Sequence, residues 1–146
     1  MKNTFVVLLS LFATSVFAGE CDINLESTES MAFKTKEIVV NKNCAEVTLN
    51  FKNNGTLPKA VMGHNAVISK KSDMNAVVND GIAAGLKNNY VKTGDKRVVV
   101  ATTVIGGGES TSIKFKPDTI KPNEDYVFFC SFPGHSAVMK GIVKLV

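Results

Sequence analysis

Short alternations of apolar and polar residues run through most of this chain and predict β-strands. The clearest is 45–51, where every second residue is apolar. Apolar or alternating runs bounded by Gly, Pro, Asn or Asp predict further strands at 23–25, 38–40, 97–103, 110–116, 126–130 and 140–146. Two shorter apolar strand pieces, 60–62 and 66–69, lie on either side of Gly63-His64-Asn65.

Only one stretch has the spacing of a helix. Ser72 and Asp73 can cap it, and apolar residues follow at Met74, Val77, Val78 and Ile82. Two glycines weaken the pattern, so we predict a short, irregular helix that ends near Leu86. About seven or eight strands with one helical insertion predict an all-β fold, a Greek-key sandwich or barrel. A βαβ fold is excluded because helices do not alternate with strands.

The first 18 residues have the layout of a secretory signal peptide. Lys2 precedes an apolar run from residue 5, and Val16 and Ala18 occupy the −3 and −1 positions of a cleavage site. A membrane anchor would need about 20 apolar residues, more than this segment offers. A lipoprotein would need a small residue before its cysteine, but Glu20 precedes Cys21. We therefore predict a signal peptide at 1–18 and one domain at 19–146.

The composition argues against several classes of protein. The chain of 146 residues is 45% apolar and 21% charged, which is typical of a globular protein rather than a disordered one. Its net charge of +4 is mild, and the lysines are scattered rather than clustered with aromatic residues. Nucleic-acid binding therefore has little support. Beyond the N-terminal segment, no stretch of the sequence is long and apolar enough to span a membrane.

Three cysteines are one too many for pairing in an exported protein. Cys21 and Cys44 each lie beside a predicted strand, and a disulfide between them would stabilise the fold by about 3 kcal/mol. The alternative, two free buried thiols, is disfavoured by export to an oxidising compartment. Cys130 is then the unpaired thiol and needs another role.

Cys130 lies in a motif with the spacing Cys-x4-His-x3-Met, which continues through His135 and Met139. A Cys and a Met at the ends of neighbouring strands, with a His on the loop between them, can converge on one point. The only other histidine, His64, also lies beside a glycine in a break between strands. One thiolate, two imidazoles and a thioether form the ligand set of a trigonal copper site with a weak axial Met.

Each of these residues alone is more often structural than a ligand, but the combination favours a metal. Zinc is the less suitable ion because a thioether is a poor zinc ligand. An enzyme with Cys130 as nucleophile and His135 as base is a second hypothesis, which leaves Met139 unexplained. A metal-free secreted interaction domain is a third.

These motifs resemble those of a known family. Gly63-His64-Asn65, Cys130 to Ser136 and Met139-Lys140-Gly141, together with Leu57-Pro58-Lys59 and the early cysteine pair, are similar to motifs of the azurins, which are blue-copper cupredoxins. The resemblance covers 19–146. It implies an eight-stranded Greek-key β-sandwich with a helical flap, and one copper ion bound by His64, Cys130 and His135. Met139 would be a long axial ligand and the Gly63 carbonyl a second weak contact.

The resemblance also implies the surroundings of the copper ion. Asn65 and the backbone after Phe132 would hydrogen-bond around the thiolate. His135 would reach the surface through an apolar patch formed by Leu57, Val61, Met62, Ile82, Phe132, Pro133, Gly134 and Ala137. Some azurins have a Trp where this chain has Ala66, and a pH-sensitive His where it has Asn53.

The implied function is that of a periplasmic, monomeric one-electron carrier and not an enzyme. Its partners would be c-type cytochromes and periplasmic reductases. A copper chaperone or storage protein would use the same ligands and remains an alternative at this point.

Overall fold

The computed structural model describes residues 20–146, so the predicted signal peptide lies outside the described residues. Eight strands and two α-helices form the described chain, with 3-10 turns at Leu86–Asn88, Pro117–Thr119 and His135–Ala137. The strands are β1 Asp22–Glu26, β2 Glu37–Val40, β3 Val47–Lys52, β4 Val67–Lys70, β5 Val98–Ala101, β6 Ser110–Phe115, β7 Tyr126–Phe129 and β8 Lys140–Leu145. The helices are α1 Lys59–Met62 and α2 Met74–Ala84.

The strands form two mixed sheets. One has the order β1-β3-β6 and the other the order β2-β8-β7-β4-β5. The pairs β1–β3 and β2–β8 are parallel, and the remaining pairs are antiparallel. The predicted all-β, eight-stranded sandwich with one helical insertion is confirmed.

The main core lies between the sheets, and its side chains follow the predicted alternation. In β3, Val47, Leu49 and Phe51 are buried while the residues between them are partly exposed. Strands β4 and β7 do not alternate, because α2 covers the face of their sheet that points away from the core. Val77 of α2 packs with Val67 of β4 and Phe129 of β7 in a second cluster. Burial on both faces explains the unbroken apolar run 126–129.

The helix α2 begins and ends close to the prediction. Asp73 occupies its N-cap position without a side-chain hydrogen bond, and Gly85 ends it with a positive φ of 73°. Ile82 lies outside the buried face of the helix and is exposed.

The prediction of a strand piece at 60–62 is wrong. These residues belong to α1, a single helical turn that follows Pro58, and the N–H groups of Val61 and Met62 both donate to the Pro58 carbonyl. The fixed φ of proline suits the start of a helix. Val61 is exposed and none of the four helix residues is buried, so the apolar side chains of this run do not enter the core as those of a strand would.

The predicted disulfide between Cys21 and Cys44 is confirmed, with a Cα–Cα distance of 5.8 Å. Cys130 is a free, buried thiol. Within residues 20–146, no helix has the length and apolar character needed to cross a bilayer.

Candidate metal centre

Cys130, His135 and Met139 lie on one loop that connects β7 to β8. The Cys130 N–H donates to the Met139 carbonyl at 3.0 Å and closes the loop. Inside it, the His135 N–H donates to the Phe132 carbonyl and the Met139 N–H donates to the His135 carbonyl, at 3.0 and 2.8 Å. Gly134 permits the turn because its φ is 82°. The loop therefore folds its ligand-type residues towards one another.

His64 comes from a different part of the chain, just before β4. Its backbone pairs with Ile105, with N–H to carbonyl distances of 3.0 and 2.8 Å in the two directions. The preceding Gly63 has no room for a side chain, because a Cβ there would collide with the Lys59 carbonyl and the Val104 side chain. Glycine thus allows helix α1 and the segment around Val104 to pack tightly beside His64.

The structure brings the side chains of His64, Cys130 and His135 together. The two Nδ1 atoms are 3.1 Å apart, and Cys130 Sγ lies 3.8 Å from His64 Nδ1 and 3.6 Å from His135 Nδ1. The exposed fractions of the three residues are 1%, 0% and 4%. This is the one group of three or more metal-binding side chains found among His, Cys, Asp and Glu in residues 20–146.

The spacing of the three atoms fits a metal ion. A point equidistant from them lies about 2.0 Å from each, close to the bonds of about 2.0 Å to nitrogen and 2.3 Å to sulfur that zinc makes in proteins. The chemistry of the donors favours copper over zinc, because a thiolate and two imidazoles form a trigonal set. Met139 supplies a thioether in the same core cluster as Cys130, where it is fully buried. Its role as an axial ligand stays a prediction.

Burial governs the protonation of the three groups. It raises the pKa of the Cys130 thiol to about 11, and hydrogen bonds from the backbone N–H groups of Asn65 and Phe132 partly oppose that rise. Burial, together with the neighbouring His135, lowers the pKa of His64 to about 4. Burial also lowers the pKa of His135. Both imidazoles are therefore neutral at pH 7 and have lone pairs available for a metal.

Asn65 connects the two parts of the site through its side chain. Its Oδ1 accepts from the Ser131 N–H and its Nδ2 donates to Ser131 Oγ, both at 2.9 Å. Because Asn65 follows His64 and Ser131 follows Cys130, these bonds join the segments that carry the two ligand-type residues. Hydrogen bonds to the sulfur were predicted from Asn65 and the backbone after Phe132, whereas the groups that make them are the backbone N–H groups of Asn65 and of Phe132 itself. Their effect on a bound metal stays a prediction.

Comparison with known proteins identifies the family. Residues 19–146 match the family described as copper-binding proteins of the plastocyanin/azurin family. An azurin of Alcaligenes faecalis is 58% identical over 125 residues, covering 86% of this chain and 98% of that protein. The chain belongs to the plastocyanin/azurin family. The azurin of Bordetella pertussis is 50% identical over 141 residues, covering 97% of this chain and 94% of that protein.

A solved structure shares the fold. An azurin of the methylotroph Methylomonas sp. has a TM-score of 0.84 and 44% sequence identity, covering 88% of this chain and 99% of that one.

The two positions at which this chain differs from some azurins, Ala66 and Asn53, are both buried. Ala66 is fully buried beside β4. Asn53 is 1% exposed, and its Nδ2 donates to the carbonyl of Ile105, the residue that pairs with His64. Its Oδ1 accepts from Ser27 Oγ at 3.0 Å. A neutral amide therefore stands at the place where a titratable imidazole is expected in some azurins.

The predicted docking patch is mostly exposed. Leu57, Val61 and Ile82 are exposed by 46%, 60% and 45%, and Pro133, Gly134 and Ala137 are exposed as well. Met62 is half-buried and Phe132 is buried. Val138, which lies outside the predicted patch, is 54% exposed. The Phe132 ring lies 4.6 Å from the His135 ring, so the part of the patch on this loop lies beside the site.

Sequence reasoning missed three residues that hold the site. Ser131 and Thr102 have buried side chains; Thr102 Oγ1 accepts from the Ala66 N–H at 2.9 Å. Asn89 accepts from Asn65 Nδ2 at 3.0 Å. For Asn89 the sequence offers only a weak signal, namely an Asn in a loop that follows a helix, because Asn tolerates a left-handed backbone.

Proposed function

We propose that this protein carries single electrons between redox partners by means of one bound copper ion. The observation that carries the proposal is the buried thiol of Cys130, which lies 3.8 and 3.6 Å from two buried imidazole nitrogens in a chain of the plastocyanin/azurin family. His64, Cys130 and His135 would hold the ion. Met139 and the Gly63 carbonyl would be weaker axial contacts.

Bound copper would accept and release one electron by cycling between Cu(II) and Cu(I). The protein's own contribution is a rigid cage. Both imidazoles are held neutral, and two backbone N–H groups hydrogen-bond to the sulfur. Because the ligand-bearing segments are joined by Asn65 and Ser131, they have little freedom to rearrange when the charge of the site changes. Such surrounding hydrogen bonds orient ligands and tune a metal site.

His135 would be the route by which the electron leaves. Its ring lies beside Phe132, and two apolar residues of the same loop, Ala137 and Val138, are exposed. The docking patch would consist of Leu57, Val61, Met62, Ile82, Phe132, Pro133, Gly134 and Ala137. Redox contacts are commonly small and short-lived. We propose c-type cytochromes and periplasmic reductases as partners, and a monomer in solution.

We further propose that residues 1–18 direct export to the periplasm and that residues 19–146 form the copper domain. The disulfide between Cys21 and Cys44 supports this location, because such bonds persist in oxidising compartments.

An enzymatic role for Cys130 is less well supported. Its side chain is completely buried, and burial raises its pKa to about 11, so a nucleophilic thiolate would be scarce and out of reach. A copper store would use the same ligands and is distinguished by its rates: a carrier exchanges electrons faster than it transfers copper. A metal-free interaction domain would contain no copper after expression in copper-replete cells.

The test is to load the purified protein with Cu(II) and record its absorption spectrum. We expect an intense blue band that disappears on reduction and returns on oxidation. Cys130→Ser should abolish the band, whereas the double variant Cys21→Ser, Cys44→Ser should keep it, because only the disulfide is lost. Circular dichroism checks that each variant is folded. A colourless wild-type protein, or a band that survives Cys130→Ser, would refute the proposal.

A further inference from the structure

The segment that follows α2 contains two consecutive residues with unusual backbone conformations. Asn89 and Tyr90 have φ values of 56° and 51°, in the left-handed region that residues with a Cβ rarely adopt. Asn89 caps the 3-10 turn Leu86–Asn88, and its N–H donates to the Leu86 carbonyl. Since Asn is one of the few residue types that tolerate this region, Asn89 suits the position.

The backbone carbonyl of Asn89 lies within hydrogen-bond distance of two side chains, each next to a proposed ligand in sequence. Its carbonyl accepts from Asn65 Nδ2 at 3.0 Å, and Asn65 follows His64. Ser131 Oγ, which follows Cys130, lies 3.5 Å from the same carbonyl. One backbone oxygen therefore lies against the bridge that joins the two ligand-bearing segments.

The side chain of Asn89 reaches a third segment. Its Oδ1 accepts from the Val104 N–H at 2.9 Å. The next residue, Ile105, makes the two backbone hydrogen bonds that hold His64. Asn89 is thus linked to His64 from both sides, through Asn65 on one side and through Val104 on the other.

The neighbouring residue fixes this segment against α2 and the ligand loop. The carbonyl of Tyr90 lies so close to Gly81 of α2 that a Cβ at that glycine would collide with it. The Tyr90 ring packs edge-on against Phe132 with centroids 5.2 Å apart. Asn89 is therefore held between α2 and the loop that carries Cys130 and His135.

We propose that Asn89 is a positioning residue, which holds the segments of His64 and Cys130 at the separation that the copper ion requires. This inference rests on the proposed function. These hydrogen bonds join protein groups to one another, so the fold itself contributes to the ligand spacing. A positioning role differs from a general contribution to stability, because loss of the Asn89 side chain should change the site itself.

Three variants separate these roles. Asn89→Gly keeps a left-handed backbone accessible but removes Oδ1. Asn89→Asp keeps an oxygen acceptor and tolerates the same backbone. The matched control is Asn123→Gly, which removes the side chain of another Asn with a positive φ of 68°, on an exposed loop.

The first measurement uses the metal-free protein. We expect the Val104 amide to exchange with solvent about tenfold faster in Asn89→Gly, because its acceptor is lost. Asn89→Asp should restore protection, and Asn123→Gly should leave it unchanged. Equal protection in Asn89→Gly and wild type would overturn the proposal.

The second measurement uses copper-loaded protein. Asn89→Gly should shift the blue band and the reduction potential, and Asn89→Asp should return the band towards the wild-type position. If Asn89→Gly lowers stability but leaves both properties unchanged, or if Asn123→Gly shifts them equally, Asn89 is merely structural and the proposal fails. If wild-type protein binds no copper, the proposed function fails, while the exchange experiment still tests whether Asn89 holds the His64 segment.

Discussion

The metal-free protein should lose stability as the pH falls from neutral, because its two buried histidines are held neutral. His64 Nδ1 lies 3.1 Å from His135 Nδ1. Charging both rings would place two like charges and two N–H donors face to face. Burial and this neighbour lower the pKa of His64 from 6.5 to about 4 in the folded state. The unfolded chain therefore takes up a proton at a higher pH than the folded protein does.

The direction and size of this change in the free energy of unfolding follow from proton linkage. Between pH 6.5 and 4 the unfolded state binds more protons, so the free energy of unfolding falls as the pH falls. The contribution is fully present above pH 6.5 and lost by pH 4. A shift of this size is worth about 3 kcal/mol for His64. Burial also lowers the pKa of His135, which acts in the same direction. Because domains are stable by only about 5–15 kcal/mol, the loss should be easy to measure.

The assay is urea unfolding of chelator-treated protein, followed by circular dichroism from pH 7.5 to 4.5. Carboxylates with lowered pKa values, such as those of Asp80 and Asp95, lose their contribution only at lower pH, since their unperturbed value is 3.8. His64→Gln should make the free energy of unfolding less dependent on pH, because it removes the histidine whose pKa is lowered to about 4. A free energy of unfolding that stays constant to within about 0.5 kcal/mol over this range, or that rises as the pH falls, would refute the reasoning.

Two further predictions concern the disulfide and the patch. Replacing Cys21 and Cys44 by Ala should lower the free energy of unfolding by about 3 kcal/mol, measured in urea, because the bond closes a long loop in the unfolded chain; an unchanged midpoint would contradict this. Val61→Lys should slow electron self-exchange of copper-loaded protein by about tenfold or more through repulsion between exposed patches, with an unchanged absorption spectrum, since Val61 is 60% exposed. Val39→Lys, on an exposed residue of edge strand β2, is the matched control, and an equal effect there would refute a role for the patch.

Much of the framework could be predicted because the sequence pattern directly reflects burial. The alternation in β3 predicts which side chains enter the core, since one face of that strand is covered and the other is solvated. The odd cysteine and the Cys-x4-His-x3-Met spacing predict the site in the same way, because Cys130 and His135 lie on one short loop. Residues this close in sequence on one loop also lie close together in the folded chain.

The contacts that hold the site were harder to predict because they join residues far apart in the chain. The bond between Asn65 and Ser131 spans 66 positions, and that between Asn89 and Val104 depends on a backbone conformation that no hydrophobic pattern indicates. The segment 60–62 shows the opposite problem. Its apolar residues suggested a strand, but their side chains are largely on the surface, and Pro58 starts a helical turn.

The position of β8 in its sheet has a consequence for the order of folding. This strand, Lys140–Leu145, lies between β2 and β7, and its parallel pairing with β2 joins Ile38 to Val143. Pairings between such distant parts of a chain form slowly, because a long loop must close first. The five-stranded sheet cannot be completed until residues 140–145 have been synthesised. A chain that ends before residue 140 would therefore lack the strand that joins β2 to β7, and with it one end of the loop that carries Cys130 and His135.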